Sequence, residues 1–358
     1  MEIGCLIYWF KVILIFNAKN NPTLTIFKQT INPIDMRTYP LFFLALLSLL
    51  AACSDSSEVP AGPYSESLSA PGGQLELQFT VDESGTAAYR LNRGDVEVIP
   101  PSGLGFTFAG SPDLKANWQV QNVDKSSFDE SWEQVWGEQR TVQNRYSEMK
   151  VDLLEGKAPG RKFSLIFRLY DDGLGFRYHF PQQEAMDSVR ITAELTEFSL
   201  TGDPYCWWIP GDWDIYEHIY NETRFSEIDA LSKRDPPNLA QTYIPENAVN
   251  TPVTLKTEDG LYLSFHEANL TDYAGMTLRV NKDKKRFESA LVAWADGIKV
   301  KQQTPFSTPW RTVQVAERAG DLIESNLIIN LNEPNQLEGD LSWIEPMKYA
   351  GIWWEMHL

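Results

Sequence analysis

From Leu68 onward the chain alternates apolar and polar positions with a period of two. Leu75, Leu77, Phe79 and Val81 are spaced by Glu76, Gln78 and Thr80, which is the pattern of a strand buried on one face. Asp82-Glu83-Ser84-Gly85 turns the chain and Ala88–Leu91 runs back. The device recurs: Phe163–Leu169 enters Asp171-Asp172-Gly173 and returns through Gly175–Phe180. Asp-Gly tolerates positive φ and suits a tight hairpin. Val253–Lys256, Glu258-Asp259-Gly260 and Leu261–Phe265 predict a third hairpin. Short strands at this spacing, without a fixed repeat or a long helical pattern, predict an all-β fold and a large β-sandwich. Leu331-Asn332-Glu333-Pro334 reads as the exit from its last strand and Asp340–Trp343 as a short linker helix. Tyr349–Met356 has a buried-strand pattern, expected either to join the sandwich or to open another domain.

The N-terminal region is patterned differently. Leu6–Phe16 is apolar but broken by Lys11, and a polar run follows to Asp35. From Met36 the order is that of an export signal: a short basic segment with Arg37, then the apolar run Leu41–Ala52, too short to span a bilayer. It closes on Leu50-Ala51-Ala52-Cys53, which resembles the bacterial lipobox, whose thiol accepts a diacylglycerol. The alternative is an ordinary signal peptide with a chance cysteine. Ser54-Asp55-Ser56-Ser57-Glu58 resembles the acidic export signal of surface lipoproteins in Bacteroidetes-like bacteria. We therefore expect residues 1–35 to be an over-extended start, 36–52 a lipoprotein signal peptide and 53–67 a linker. The protein is then an exported lipoprotein of a Gram-negative bacterium. It is held at the outer membrane by a lipid on Cys53 and faces the periplasm or the medium.

Composition removes several classes. With 31 Lys+Arg against 49 Asp+Glu the formal charge is −18, and such a surface repels a phosphate backbone, so nucleic acid is excluded as a partner. An apolar content of 43% is too high for a disordered chain. Cys5, Cys53 and Cys206 make neither a disulfide framework nor a cysteine zinc site. The histidines at 179, 218, 266 and 357 show no clustered ligand spacing. The positive signal is aromatic: 12 Trp, 14 Tyr and 18 Phe suit a strand-rich protein and are common where indole faces stack on sugars. For any single Trp, core packing remains the commoner role.

Several segments stand out: Phe128–Glu138 (FDESWEQVWGE), Tyr170–Phe180 (YDDGLGFRYHF), Trp207–Asp214 (WWIPGDWD) and Gln303–Thr312 (QTPFSTPWRT). Together with His266-Glu267-Ala268 and Gly351–Met356, in this order and at this spacing, they resemble the N-terminal part of glycoside hydrolase family 97. That family contains the α-glucosidase of Bacteroides starch-utilisation systems and also α-galactosidases. The likeness runs from about Leu68 to Met356. It implies an N-terminal β-super-sandwich over residues 68–335, followed over 336–358 by a linker and the first strand of a truncated catalytic (β/α)8 barrel. The implied activity is hydrolysis of terminal α-glycosidic bonds in α-linked oligosaccharides. The two carboxyls that flank such a bond are implied to sit on later barrel strands, so this chain without the missing barrel domain is expected to be inactive alone. The rival reading is a non-catalytic, surface carbohydrate-binding lipoprotein.

The resemblance also implies a metal. In the calcium-dependent members a sandwich glutamate shares a Ca2+ with barrel glutamates, and aligning Trp208-Ile209-Pro210-Gly211-Asp212 places it at Glu217. Calcium takes six to eight oxygen ligands, so one carboxylate contributes to such a site but cannot hold the ion. The alternative for Glu217 is a surface carboxylate. Asp212 and Asp214 are expected to brace its loop, and His266-Glu267 to form a structural hydrogen-bonding pair. Asp129, Glu130, Glu133 and Glu138, interleaved with Trp132 and Trp136, either touch sugar or form a solvated strand edge. Trp207 and Trp208, adjacent in a strand, face opposite sides; the same rule applies to Trp353 and Trp354. Cys206 is expected to be a buried small hydrophobe.

Overall fold

The computed structural model describes residues 62–134, 137–234, 242–334, 336–345 and 347–350. The chain divides into two units, 1–57 and 58–358; the first lies outside the described residues, and with it Cys53 and the export signal. In the second unit the chain opens with β1 (Tyr64–Ser69), β2 (Leu75–Val81), β3 (Ala87–Arg93) and β4 (Val96–Gly103). It continues through β5 (Phe106–Phe108), β6 (Trp118–Glu133), β7 (Thr141–Glu155), β8 (Lys162–Tyr170) and β9 (Gly173–Phe180). Shorter strands follow: β10 (Ser188–Glu194), β11 (Glu197–Ser199), β12 (Tyr205–Trp208), β13 (Asn221–Arg224), β14 (Ala248–Asn250) and β15 (Val253–Lys256). The last are β16 (Tyr262–Ala268), β17 (Met276–Asn281), β18 (Arg286–Leu291), β19 (Val300–Gln303), β20 (Phe306–Ser307) and β21 (Trp310–Ala316).

The strands pair antiparallel into a ten-stranded sheet and three smaller ones. The large sheet runs β13-β12-β15-β16-β21-β9-β8-β7-β6, with β20 also on β9; the smaller ones are β1-β2-β3-β4, β19-β10-β5 and β11-β18-β17-β14. Each smaller sheet meets the large one through rings: Phe79 lies 5.8 Å from Phe167, Phe106 4.6 Å from Tyr178, and Phe287 5.8 Å from Phe265. One continuous apolar core results, the all-β sandwich that the alternation predicts.

All three expected hairpins form, with Leu77 opposite Leu91, Leu169 opposite Leu174 and Leu255 opposite Leu263. The second needs its glycine for a different reason than the turn. Tyr170 pairs with Gly173, so Asp171-Asp172 is the loop and Gly173 already belongs to the strand, at φ +156. A Cβ there would meet the Val313 carbonyl and sit 2.7 Å from Leu327 Cδ1. The glycine permits close approach of neighbouring backbone.

Three expectations need correction, and a fourth falls largely outside the described residues. The sandwich begins at Tyr64, inside the stretch read as linker, because Leu68 packs against β2. The last strand ends at Ala316, and two short helices, α1 (Ala319–Glu324) and α2 (Leu327–Asn330), precede Leu331. Leu327, Ile328 and Leu331 recur at helical spacing and cover Trp310 and Ala268 on the outer face of the large sheet. Residues 340–343 form a turn, closed by Ile344 N–H donating to the Leu341 carbonyl, and not a helix. Of the strand expected over 349–356, Tyr349 and Ala350 are irregular, and 351–358 lie outside the described residues. Among the described residues no helix is long and apolar enough to cross a membrane.

Candidate functional site

The Pro210–Tyr220 segment leaves β12 as a loop organised by one buried carboxylate. Asp212 is 3% exposed, and its Oδ1 accepts from the N–H groups of Asp214 (2.9 Å) and Ile215 (3.2 Å). Its Oδ2 accepts from Thr242 N–H at 3.0 Å and lies 3.2 Å from His218 Nε2. Asp214 accepts from the Thr242 hydroxyl. The Asp212 N–H donates to Asn250 Oδ1, and His218 stacks on Tyr243 with 5.2 Å between centroids. Both aspartates therefore tie the loop to the 242–250 segment. Glu217 lies between the exposed Tyr216 and the anchored His218, itself exposed.

Among the described residues no group of three or more His, Cys, Asp or Glu is placed to hold a metal ion. The residues present thus fit Ca2+ as a single donor on a braced loop, far short of a complete shell.

Asp212, Trp213 and Tyr216 of this loop border a cleft of about 540 Å3. It is lined by Trp213, Tyr216, Leu270, Ala274-Gly275-Met276 and Trp294. Glu267 also lines the cleft. It is 8% exposed, accepting from Met276 N–H at 2.9 Å through Oε1 and from Arg311 Nη1 at 2.6 Å through Oε2. Arg311, with no exposed surface, donates its other two bonds to Glu194, at 2.7 and 2.8 Å. The hydroxyls of Thr196 and Tyr273 complete Glu194 at 2.9 and 3.0 Å.

One guanidinium thus serves two buried carboxylates, and their protonation responds differently. Burial raises the Glu267 pKa and Arg311 offsets that only in part. Burial also pushes Glu194 upward, but the charge and hydrogen bonds of Arg311 outweigh it and the net shift is downward. A raised folded-state pKa contributes stability below the unfolded value that is lost as pH rises through the folded one. Glu267→Gln, which mimics the neutral form, is therefore expected to gain stability relative to the wild type as pH climbs above the ordinary carboxylate value of about 4.3. Urea unfolding from pH 4 to 8 checks this; a difference that moves the other way refutes it.

His266 and Glu267 do not form a pair. Successive strand residues point to opposite faces, so Glu267 joins Arg311 within the sandwich while His266 sits opposite Thr312 on the other side. The 128–133 run is the solvated edge of the large sheet: Phe128 packs on Tyr146 at 5.2 Å, and Trp132 Nε1 donates to Asn330 Oδ1. Trp136 lies outside the described residues. Trp208 is buried, whereas Trp207 stacks on Tyr262 across the opposite face. Cys206 is fully buried and its thiol pKa is pushed up to about 12 by burial and by Asp203.

The family description "Glycosyl-hydrolase 97 N-terminal" matches residues 68–334, the span of the sandwich. The chain belongs to this family. Glycosyl-hydrolase 97 relatives also share its fold. A family 97 enzyme from Pseudoalteromonas sp., solved in complex with acarbose, is 38% identical with a TM-score of 0.71, covering 82% of this chain and 41% of its own. A variant of a family 97 enzyme from the same organism, solved in complex with panose, is 37% identical with a TM-score of 0.72 over the same shares. A retaining alpha-galactosidase of Bacteroides thetaiotaomicron is 22% identical over 80% of this chain and 44% of its own length. The chain therefore spans less than half the length of these family 97 relatives.

Sequence reasoning singled out the Asp212–Glu217 loop but missed the cleft beside it. Trp294 carried a local signal, the Ala295-Asp296-Gly297 turn that follows it. Leu270 and Tyr273 carried none.

Proposed function

We propose that this chain frames the substrate site of an exported α-glycoside hydrolase, an α-glucosidase in preference to an α-galactosidase. The observation that carries the reading is the Asp212-braced loop that exposes Glu217 beside an aromatic cleft. Glu217 lends one oxygen to a Ca2+ whose remaining ligands lie outside the described residues. When bound, the ion supplies charge to orient water and polarise the sugar site. The carboxyls that cleave the bond belong, on this reading, to polypeptide outside residues 68–334. The family match supports it. Glucosides are favoured because the relative bound to panose, a trisaccharide of α-linked glucose, is 37% identical, against 22% for the α-galactosidase. Export and anchoring through a lipid on Cys53 complete the proposal.

The test is a Ca2+ titration of the full-length protein hydrolysing p-nitrophenyl α-D-glucopyranoside. Glu217→Gln, at an exposed position, is expected to fold normally and to require at least about tenfold more Ca2+ for half-maximal turnover. Calcium-independent turnover that ignores Glu217→Gln removes the metal role, and faster turnover of the galactoside moves the substrate. The 358-residue chain assayed by itself is expected to release no p-nitrophenol. A second reading, a non-catalytic carbohydrate-binding lipoprotein, draws on the same cleft and requires that the full-length protein hydrolyse nothing.

A further inference from the structure

We propose that the cleft between Tyr216 and Trp294 is itself a saccharide-binding site, taking the end of an uncharged α-linked oligosaccharide with Trp294 as the stacking platform. The choice of α-linked glucose as ligand rests on the function proposed above; the site rests on the geometry.

A sugar ring presents apolar C–H faces and a rim of hydroxyls. A protein site for it needs an aromatic face left open to water and fixed polar groups around it. Trp294 is 63% exposed, Tyr216 59% and Leu270 49%, and all three border one cavity. Single exposed apolar side chains are ordinary, but several converging on one concavity mark a binding surface. The volume of about 540 Å3 lies within the range of small-ligand sites.

The platform is also fixed before any ligand arrives. Trp294 N–H donates to the Ile298 carbonyl and Gly297 N–H to the Trp294 carbonyl, both at 2.8 Å, closing a tight turn. The Lys301 ammonium lies 5.5 Å from the indole centroid and is paired with Asp296 at 2.8 Å. Tyr216, on the same cleft, leaves the loop that Asp212 pins. Gly275, where a Cβ would lie 3.9 Å from both Glu267 Oε1 and Leu270 Cδ2, keeps the lining small, and Glu267 holds the next residue through Met276 N–H. The backbone that carries both rings is thus ordered before binding, which lowers the entropy lost when a ligand arrives.

Charge selects the ligand class. Lys301 is neutralised by Asp296, Glu267 by Arg311, and Asp212 lies against His218. Among the described residues no lining cation is left to hold an anion, and no group of three or more His, Cys, Asp or Glu is placed to hold a metal. Asp272 keeps acceptor capacity at the rim, with Oδ2 2.9 Å from Gln302 Nε2. An uncharged polyol with an apolar face fits this lining.

The test is calorimetric titration of maltotriose into the 358-residue chain in EDTA. The wild type is expected to bind without calcium, Trp294→Ala to bind about tenfold more weakly or worse, and Tyr216→Ala to be weakened as well. Trp343→Ala, which removes an indole that is 75% exposed elsewhere, is expected to leave binding unchanged. Thermal melts of all variants should coincide with the wild type, because each side chain is exposed. Absence of binding by the wild type overturns the inference, as does equal affinity of the Trp294 and Trp343 variants. Self-association that Trp294→Ala abolishes, without any saccharide effect, makes the cleft a contact between copies and overturns it too. Binding that needs calcium and Glu217 but ignores Trp294 defeats this inference and leaves the proposed function standing. Trp294-dependent binding beside a full-length protein that hydrolyses nothing does the reverse.

Discussion

Replacing Arg311 with methionine is expected to lower the unfolding free energy by about 3–5 kcal/mol, the usual consequence of removing one partner from a buried ion pair. For a sandwich of this size that corresponds to a fall of about 5–9 °C in melting temperature. The reason is geometric. Arg311 is fully buried and satisfies three carboxylate oxygens on two strands of different sheets, Glu194 of β10 and Glu267 of β16. Without it, two buried carboxylates face each other with only hydroxyl and backbone donors. Both then resist ionisation, so their folded pKa values lie above the unfolded ones, and the defect is expected to shrink as pH falls toward 4. Combining Arg311→Met with Glu194→Gln and Glu267→Gln should recover part of the loss, since neutral groups carry no such penalty. Equilibrium urea unfolding at pH 4 and pH 7 decides the matter. A loss that is small, or independent of pH, means the triad is not the clamp between the two sheets.

The alternation of Leu75–Val81, Phe163–Leu169 and Val253–Lys256 made the hairpins legible, because each strand buries one face and the two-residue period admits one register. The brace at Asp212 was legible for a similar local reason: its partners Asp214, Ile215 and His218 lie within six residues. The Arg311–Glu194–Glu267 triad was not. Its members are separated by 117 and 44 positions, and only the pairing of β16 with β21 and the packing of β10 across them bring them together. The adjacency of His266 and Glu267 misled because neighbours in a strand belong to opposite faces. The cleft failed for another reason. Trp294 and Trp310 look alike in sequence, yet one is 63% exposed and the other wholly buried, and that difference arises only after the sheets have packed.

Trp310→Ala is expected to cost about 3–5 kcal/mol, whereas Trp310→Phe should stay within about 1 kcal/mol of the wild type. Trp310 has no exposed surface and packs with Ala268, Leu327 and Leu331 where the outer face of the large sheet carries α2. The guanidinium carbons of Arg168 and Arg177 lie 4.8 and 4.3 Å from its ring centroid. Alanine empties that space and frees Arg177, whose ion pair is with the half-exposed Glu333 at 3.1 Å. Phenylalanine keeps an aromatic face for both arginines. It also removes the indole N–H, which is buried without a partner among the described residues. A buried unpaired donor costs about 1–3 kcal/mol, so its loss offsets much of the lost ring area. Limited proteolysis gives an independent readout, because α2 loses its seat in the alanine variant and cleavage within 319–334 should accelerate, while the phenylalanine variant stays protected. Equal destabilisation by both substitutions would show that the indole N–H is satisfied, and unchanged cleavage would show that α2 is held by contacts other than Trp310.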